Sequence, residues 1–432
     1  MRFTTLDDWL RWQETLHPRA IELGLERMRT VLRRLQPDTP PFAVITVGGT
    51  NGKGSCVAFL DAILRAAGYR VGAYTSPHLL RYHERIRVDG VEADDEALCQ
   101  AFARIDAKRG DISLTYFEFG TLAALERFRE AGVEVAVLEV GLGGRLDAVN
   151  VVDADAALVA SIGIDHVDWL GLDRDSIGYE KAGIYRPGRP AICAEPDPPP
   201  RLLEHAHAIG SKLLRVGYDY DFTRVGATWR WRSAESHFEA LPPLALAGEH
   251  QLGNAAAALM TLTSLRDRLP VDADAIRAGL LRARLPGRFQ VIPGRVEWIL
   301  DVAHNPAAAA VLADQLRNRA CAGRTQVIIG LLADKDADGV IQALAGVVDE
   351  WHPVTLAGAR GRASTDLAAR LRSAGIQAVA LHDDIASACR TALDGADAGD
   401  RIVVLGSFHA VAPVLAAQPW ISDFPLPQPR EA

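Results

Sequence analysis

The chain has 432 residues, of which 49% are hydrophobic and 24% charged, and its formal net charge at pH 7 is −8. This length exceeds what one hydrophobic core usually serves, so we expect two domains. The negative charge argues against a general nucleic-acid or membrane-surface binder, because both classes favour basic patches. The five cysteines stand singly, without C-x-x-C spacing. They indicate reduced thiols and argue against metal binding through sulfur.

The N-terminus carries acidic residues where a signal peptide would have an apolar segment. No uninterrupted apolar run is long enough to span a bilayer. We therefore expect a soluble, cytoplasmic protein with no membrane and no nucleic acid among its partners.

Strand-like apolar runs alternate with helical stretches along most of the chain, which is typical of parallel sheets with crossover helices. A first series of strands is predicted at Phe42–Val47, Val71–Thr75, Val133–Val140, Ala156–Ser161 and Ala191–Ala194. A second series is predicted at Val296–Asp301, Gln326–Leu331, Val354–Ala357, Ala378–Leu381 and Arg401–Gly406. Alanine-rich helices are predicted at Asn254–Leu269, Pro306–Ala320 and Thr365–Ala374.

Two segments between these series differ from the pattern. The prolines of Pro196–Pro200 cannot continue a helix or a central strand and predict an exposed connection. Tyr218–Glu239 alternates around two tryptophans, which predicts a small antiparallel addition. A helical region stops near Leu285–Arg288, where the second strand series begins. We therefore predict an α/β fold with domains at residues 1–287 and 288–432.

The most informative segment is Val47–Ser55, which we call the glycine loop; it follows the first predicted strand and precedes a helical pattern. Its glycines let backbone N–H groups turn inward, the helix N-terminus adds positive potential, and Lys53 supplies a cation. Ser55 can offer its hydroxyl to Mg²⁺. The strict pattern G-x-x-x-x-G-K-[ST] fails, since Gly54 separates the lysine from the serine. A glycine-rich turn without a ligand is the alternative, but the flanking strand and helix favour a nucleoside triphosphate site.

Polar residues follow two further predicted strands. The strand Val133–Val140 carries Glu139 at its end, before the glycine-rich Gly141–Asp147, and the strand Ala156–Ser161 is soon followed by His166. Ligands collect at the carboxyl ends of parallel strands, so Glu139 would face the nucleotide and could hold Mg²⁺. His166 could bind a metal through a neutral nitrogen while a nearby carboxylate fixes its tautomer. A solvated strand end and a packed histidine are the structural alternatives.

Short strings spread in order across nearly the whole chain make these features specific. They are G-T-N-G-K-G-S at Gly49–Ser55, T-S-P-H-L at Thr75–Leu79, T-Y-F-E-F-G at Thr115–Gly120, E-V-G-L-G-G-R-L-D-A at Glu139–Ala148, D-H-V-D-W-L-G at Asp165–Gly171, E-K-A-G-I at Glu180–Ile184, L-P-G-R-F-Q at Leu285–Gln290, L-D-V-A-H-N-P at Leu300–Pro306, D-K-D at Asp334–Asp336 and G-S-F-H at Gly406–His409. Together they resemble the folylpolyglutamate synthase/dihydrofolate synthase family, within the Mur ligase superfamily of ATP-dependent amide-forming enzymes. The G-K-G-[ST] variant of the glycine loop is itself expected in that family.

The resemblance implies an N-terminal phosphate-loop ATPase-type parallel sheet with flanking helices and a smaller C-terminal Rossmann-like α/β domain. It also implies a monomer that adds L-glutamate to dihydropteroate, forming dihydrofolate, and to tetrahydrofolate, forming poly-γ-glutamates. An acyl phosphate would be the intermediate, and ADP and phosphate would be released. Three alternatives stay open: a superfamily ligase acting on a cell-wall precursor or another acid, a small-molecule kinase, and a nucleotide-switch protein without its own substrate.

The resemblance also assigns residues. Contacts to ATP would come from Asn51, Gly52, Lys53, Gly54, Ser55, Asn254, Arg288, Asp301 and His304. Two Mg²⁺ sites would use Ser76, Glu139, His166 and Lys181, the last as a carbamate, because a free ammonium beside two divalent ions is electrostatically unfavourable. The residues expected to be catalytic are Lys53, His166, Lys181 and Arg288.

The acid substrate would contact Ile21, Glu22, Leu23, Gly24, Thr115, Tyr116, Phe117, Glu118 and Asp147. An aromatic ring such as that of Phe117 can stack on a flat heterocycle, and a carboxylate can pair with its amino groups. Core packing or a helix start would explain the same residues equally well. Lys335 and His409 are candidates for the amino-acid site, and a role outside that site would explain them equally well.

Overall fold

The computed structural model describes residues 2–36, 39–377 and 380–418. The chain forms two compact units. The first comprises most residues up to Arg284, and the second comprises the residues from Leu285 onward together with Leu79–Arg81 and Leu246–Gly248. The boundary that we placed after residue 287 stays a prediction. Within the described ranges, no helix combines the length and the apolar character that crossing a bilayer requires.

A mainly parallel sheet of eight strands forms the centre of the first unit. Its strands are β1 (Ala43–Gly48), β2 (Val71–Tyr74), β3 (Ile86–Val88), β4 (Val91–Glu92), β5 (Val135–Glu139), β6 (Ala156–Val159), β7 (Pro190–Cys193) and β8 (Lys212–Arg215). They lie in the order β4-β3-β2-β5-β1-β6-β7-β8, parallel from β2 to β8, with β3 and β4 antiparallel at one edge. Every residue of β1, β2, β5 and β6 is buried, as expected for a parallel sheet covered on both faces.

Helices cover this sheet and are listed in chain order: α1 (Leu6–Leu16), α2 (Glu26–Leu35), α3 (Lys53–Ala66), α4 (Asp95–Arg109), α5 (Tyr116–Glu130), α6 (Val167–Leu170), α7 (Arg174–Ala182), α8 (Pro200–Ala208), α9 (His250–Ser264) and α10 (Ala273–Arg282). Several begin at an aspartate whose carboxylate accepts a backbone N–H of the first turn; Asp94, Asp173 and Asp272 do so. Helix α3 is apolar on most of its surface because it packs against the sheet, α9 and α10. The predicted connection Pro196–Pro200 leads directly into α8, which begins at Pro200.

The predicted antiparallel addition is confirmed. It consists of β9 (Tyr220–Val225), β10 (Thr228–Ser233) and β11 (His237–Leu241), in the order β11-β10-β9. The buried Trp231 donates its indole N–H to the carbonyl of Ala256 at 3.1 Å. This bond ties the small sheet to α9, the helix that carries Asn254.

The second unit has a five-stranded sheet with β12 (Gln290–Ile292), β13 (Glu297–Leu300), β14 (Thr325–Ile329), β15 (Glu350–Pro353) and β16 (Arg401–Leu405), in the order β12-β13-β16-β14-β15. All neighbours are parallel except β12 and β13. Apolar clusters lie on both faces of the sheet. Its helices are α11 (Pro306–Asn318), α12 (Ala337–Leu344), α13 (Ser364–Ser373), α14 (Ile385–Asp394) and α15 (Phe408–Ala417). The α/β fold with a second sheet-and-helix domain is therefore confirmed.

One predicted strand of this unit was wrong. The strand expected at Val354–Ala357 lies instead at Glu350–Pro353. This strand lies at a sheet edge, where a proline without an N–H is tolerated. Its sequence is polar, so the pattern of apolar runs did not locate it. Residues 378 and 379 of the strand predicted at Ala378–Leu381 lie outside the described residues, and Leu381 is not in a strand.

Candidate active site

The glycine loop joins β1 to α3 and turns where only glycine fits. Gly52, the residue before α3, has φ +83°, and a Cβ there would lie 2.6 Å from Oδ1 of Asn254. Gly49 has φ +143°, and its Cβ would lie 3.1 Å from the backbone nitrogen of Ser161. The side chain of Lys53 curls back over the loop and donates to the carbonyls of Gly49 at 3.0 Å and Thr50 at 3.1 Å. A cation, a helix N-terminus and close backbone approach therefore meet at one point, as an anion cradle requires.

The segment after β6 holds the glycine loop in place. Ser161 accepts the N–H of Thr50 on its carbonyl at 2.8 Å and the N–H of Asn51 on its hydroxyl at 2.9 Å. The Thr50 hydroxyl exchanges two 3.0 Å hydrogen bonds with the backbone of Gly163. Sequence reasoning gave Ser161 no role beyond ending a strand, yet it determines the shape of the loop.

Ser76 and Glu139 lie together because β2 and β5 are parallel neighbours, so their carboxyl ends coincide. The backbone N–H of Ser76 donates to Oε2 of Glu139 at 3.1 Å. Glu139 is only 5% exposed. Cys56 lies on α3, and the pKa of its thiol is raised by burial and by the negative charge of Glu139. The structure thus places both proposed Mg²⁺ ligands next to the helix that follows the glycine loop.

Lys181 and Asp147 are both buried, and their pKa values shift toward neutrality. Burial, followed by the charge of Lys53, lowers the pKa of Lys181 to about 7, although the carboxylates of Asp165 and Asp147 oppose the shift. Burial raises the pKa of Asp147 to about 7, although backbone N–H groups and Lys53 favour its carboxylate. Leu142 and Val149 supply two of these N–H groups, at 2.8 and 3.0 Å.

His166 precedes α6 with a left-handed backbone, φ +53°. Its Nε2 lies 3.9 Å from Oδ2 of Asp165. Across residues 2–36, 39–377 and 380–418, no group of three or more His, Cys, Asp or Glu side chains is arranged to hold a metal ion. A metal ion bound here would therefore have to complete its coordination with other oxygen ligands, such as water or phosphate.

The remaining proposed ATP contacts lie on other elements. Asn254, on α9, donates its side-chain amide to Gln251 at 2.9 Å, while its Oδ1 lies 3.8 Å from the Cys56 sulfur. Arg288, Asp301 and His304 belong to the second unit.

Within the second unit, Asp301 follows β13 and accepts the backbone N–H groups of Phe289 and Ala303, each at 2.7 Å. Burial raises the pKa of Asp301, and the charge of Arg288 opposes the shift. Nδ1 of His304 lies 2.9 Å from the carbonyl of Val302. Of the two residues left open, Lys335 is buried with its ammonium 3.7 Å from Asp334, and His409 is exposed on α15.

The strings assigned to the acid substrate adjoin one another. Thr115 and Glu118 form a capping box that begins α5, so the helix-start interpretation holds for both. Phe117 lies 5.8 Å from the Tyr74 ring and so close to Gly141 that a Cβ there would lie 2.6 Å from the Phe117 ring. The N–H of Gly24 donates to Leu146, next to Asp147, at 3.2 Å.

Arg85 is a candidate that sequence reasoning missed. Its guanidinium lies 5.4 Å from the ring centres of both Tyr82 and Tyr116, and its Nε donates to His78 at 2.8 Å. Within the described part of the chain, no carboxylate pairs with Arg85. A guanidinium held by aromatic faces keeps its capacity to bind an anion. The available signal was the basic and aromatic run that follows the T-S-P-H-L string.

Comparisons with known proteins identify the family of the chain. The family model of the Mur ligase middle domain matches residues 47–262, and that of the Mur ligase glutamate ligase domain matches residues 287–408. The dihydrofolate synthase/folylpolyglutamate synthase of Escherichia coli is 46% identical over 410 residues, covering 95% of this chain and 94% of that protein.

Two solved structures are similar over nearly the whole chain. E. coli FolC in complex with DHPP and ADP gives a TM-score of 0.91 at 46% identity, covering 96% of this chain and 97% of that one. A bifunctional folylpolyglutamate synthase/dihydrofolate synthase with Mn, AMPPNP and L-glutamate bound gives 0.89 at 46% identity, covering 96% and 98%. The chain belongs to the dihydrofolate synthase/folylpolyglutamate synthase family of Mur ligases.

Proposed function

We propose that this chain is an ATP-dependent acid–amino-acid ligase. It adds L-glutamate to dihydropteroate, forming dihydrofolate, and to tetrahydrofolate, forming poly-γ-glutamates. The observation that supports the proposal is that Glu139, at the carboxyl end of β5, and the buried Lys181 both lie close to the glycine loop. Relatives that bind ADP, AMPPNP and L-glutamate support it.

The chemistry follows from what this site offers. The substrate carboxylate attacks the γ-phosphoryl group of ATP, which forms an acyl phosphate and releases ADP. The amine of L-glutamate then attacks the acyl carbon, phosphate leaves, and an amide remains. Lys53 and the N-terminus of α3 offset charge on the phosphoryl oxygens. No enzyme nucleophile is needed, so positioning and exclusion of water do most of the catalysis.

We propose two Mg²⁺ sites, one at Ser76 and Glu139 and one at His166 and Lys181. When bound, Mg²⁺ would neutralise charge on the phosphoryl oxygens. Mg²⁺ usually binds proteins through one or two carboxylates and completes its shell with phosphate oxygens and water. The buried carboxylate of Glu139 beside Ser76 fits that pattern, and it requires no cluster of protein carboxylates.

Carbamylation of Lys181 is the second part of the proposal. With its pKa lowered to about 7, a large fraction of Lys181 is a neutral amine at neutral pH. That amine can attack carbon dioxide, which forms an N–C bond and releases one proton. The resulting anion is favoured by the charge of Lys53, which disfavours the ammonium.

The acid substrate would lie along Ile21–Gly24, Thr115–Phe117 and Asp147, with Arg85 available for an anionic group. The nucleotide contacts of Arg288, Asp301 and His304, the monomeric state and the cytoplasmic location stay predictions.

Phosphate release measured with ATP, Mg²⁺ and L-glutamate tests the function. We expect release only when dihydropteroate or tetrahydrofolate is added, together with a product heavier by one glutamyl residue. A kinase would instead yield a phosphorylated product without free phosphate. A nucleotide-switch protein would hydrolyse ATP at a rate that L-glutamate does not change. Glu139→Ala and His166→Ala should each abolish turnover in folded protein, and full activity in either would remove that residue from the site.

A further inference from the structure

Residues 17–25 connect α1 to α2 without helix or strand, and we call them the N-terminal strap. The strap contains Ile21–Gly24, one of the strings assigned to the acid substrate. Its end is tied to the Gly141–Asp147 loop by the 3.2 Å hydrogen bond from Gly24 to Leu146. Since the strap has no regular structure of its own, its conformation depends on such ties.

The strongest tie is Arg27, in the first turn of α2. Its Nη1 bonds the Glu22 carboxylate, and its Nη2 donates to the Glu22 carbonyl at 3.1 Å and to Oε1 of Glu118 at 3.0 Å. The other oxygen of Glu118 accepts the N–H of Thr115 at 2.8 Å. One guanidinium therefore joins the strap to the start of α5, where the second substrate string begins.

The two carboxylates depend on Arg27 to different degrees. Glu22 also lies 3.6 Å from Nη1 of Arg19 and 3.7 Å from Nε2 of His17. The side chain of Glu118 is only 4% exposed, and Arg27 is its one ion-pair partner among the described residues. Removing the partner of a buried charge is costly. A planar fork that serves several acceptors at once is a property of arginine and not of lysine.

We propose that Arg27 is a positioning residue for the acid substrate. It holds the strap against α5, so that Ile21–Gly24 and Thr115–Phe117 form one preformed surface for the heterocyclic end of the substrate. The inference rests on the proposed function, which assigns both strings to that substrate. Both oxygens of Glu118 are already engaged, so Glu118 acts with Arg27 in holding the surface. Without Arg27, ordering the strap becomes part of the cost of binding.

Arg27→Met tests the inference. We expect the KM for dihydropteroate to rise about tenfold or more, because the strap must be ordered on binding. The kcat and the KM values for ATP and L-glutamate should stay within about twofold, since neither substrate is assigned to the strap. The matched control is Arg29→Met on the same helix, whose exposed pair with Glu26 at 2.8 Å touches neither string. This control should leave all constants unchanged.

Two further variants keep the test decisive. Arg27→Lys retains the charge but not the fork, so its KM for dihydropteroate should lie between those of wild type and Arg27→Met. Glu118→Gln keeps an acceptor for Thr115 and loses the charge, so it should raise the same KM selectively. If Arg27→Met does not fold, a selective rise of the KM for dihydropteroate in these two variants tests the inference instead.

A KM for dihydropteroate equal to wild type, or equal rises for all three substrates, would overturn the inference. Failure of the wild-type enzyme to make any glutamylated product would instead refute the proposed function.

Discussion

Lys181 and Asp147 are a buried amine and a buried carboxyl group whose pKa values both move to about 7, mainly through burial. For Lys181 the folded pKa lies below the ordinary value of 10.5. Between pH 7 and that value, the unfolded chain binds a proton that the folded chain does not, so stability rises with pH in this window. The unmodified lysine therefore costs the protein stability near neutral pH, which is consistent with a group retained for chemistry.

Lys181→Met should remove that cost. In bicarbonate-free buffer at pH 7, we expect a higher midpoint of thermal unfolding than in wild type, with no detectable ligation. Between pH 7 and 9.5, the midpoint of the variant should rise less than that of wild type. Lys212→Met, at an exposed position of β8, is the control and should change neither property. A midpoint at or below that of wild type would refute the assignment of a buried, destabilising amine.

Strand β15 shows how burial can hide an element from its sequence pattern. His352 on β15 is 1% exposed, and its Nδ1 lies 3.2 Å from Nε2 of the buried His382. Its Nε2 lies 3.1 Å from Oε1 of Gln326 on β14. Burial, followed by the charge of His382, lowers the pKa of His352 to about 4. Burial also lowers the pKa of His382, against the carboxylates of Asp383 and Asp384.

This pair should make the protein sensitive to acid. A histidine with a lowered folded pKa contributes stability above its ordinary pKa of 6.5, and that stability is lost as pH falls toward about 4. The free energy of unfolding of wild type should fall between pH 7 and pH 5. In His352→Gln, which can still bond Gln326, we expect this fall to be smaller by about 1–2 kcal/mol. Thermal or urea unfolding at both pH values measures this, with the exposed His237→Gln as control. Equal losses in wild type and His352→Gln would contradict the prediction.

The order of strands brings distant parts of the chain together at the carboxyl ends of the interior strands of the first unit. Because β2, β5, β1 and β6 are neighbours, the segments that follow them meet. They carry Ser76, Glu139, the glycine loop and Ser161. A nucleotide that binds at these strand ends stabilises the folded chain through mass action.

A non-hydrolysable ATP analogue with Mg²⁺ should therefore raise the unfolding free energy, by roughly 2–3 kcal/mol at a hundredfold excess over Kd. EDTA should remove the part of this gain that depends on the metal. In Glu139→Gln, adding Mg²⁺ should produce little further gain over the analogue alone. Glu134→Gln, an exposed carboxylate before the other end of β5, is the control and should respond like wild type. A full Mg²⁺-dependent gain in Glu139→Gln would exclude Glu139 as a ligand.

Local pattern was sufficient for much of this protein. Apolar runs located β1, β2, β5, β6 and β7 of the first sheet and β13, β14 and β16 of the second, but not β3, β4, β8 and β12. The glycine loop was recognisable because its chemistry lies within nine consecutive positions, Val47–Ser55. The family followed from ordered strings and is confirmed by the comparisons.

Long-range packing was needed for the rest. Nothing local in the sequence indicates that the side chain of Lys181 is buried away from solvent or that Glu118 pairs with Arg27. Nor does it indicate that Arg85 has no carboxylate partner among the described residues. These properties depend on which elements become neighbours, and so does the position of β15. Periodicity reports the environment along one segment, whereas burial and charge pairing come from several segments that meet only in the folded chain.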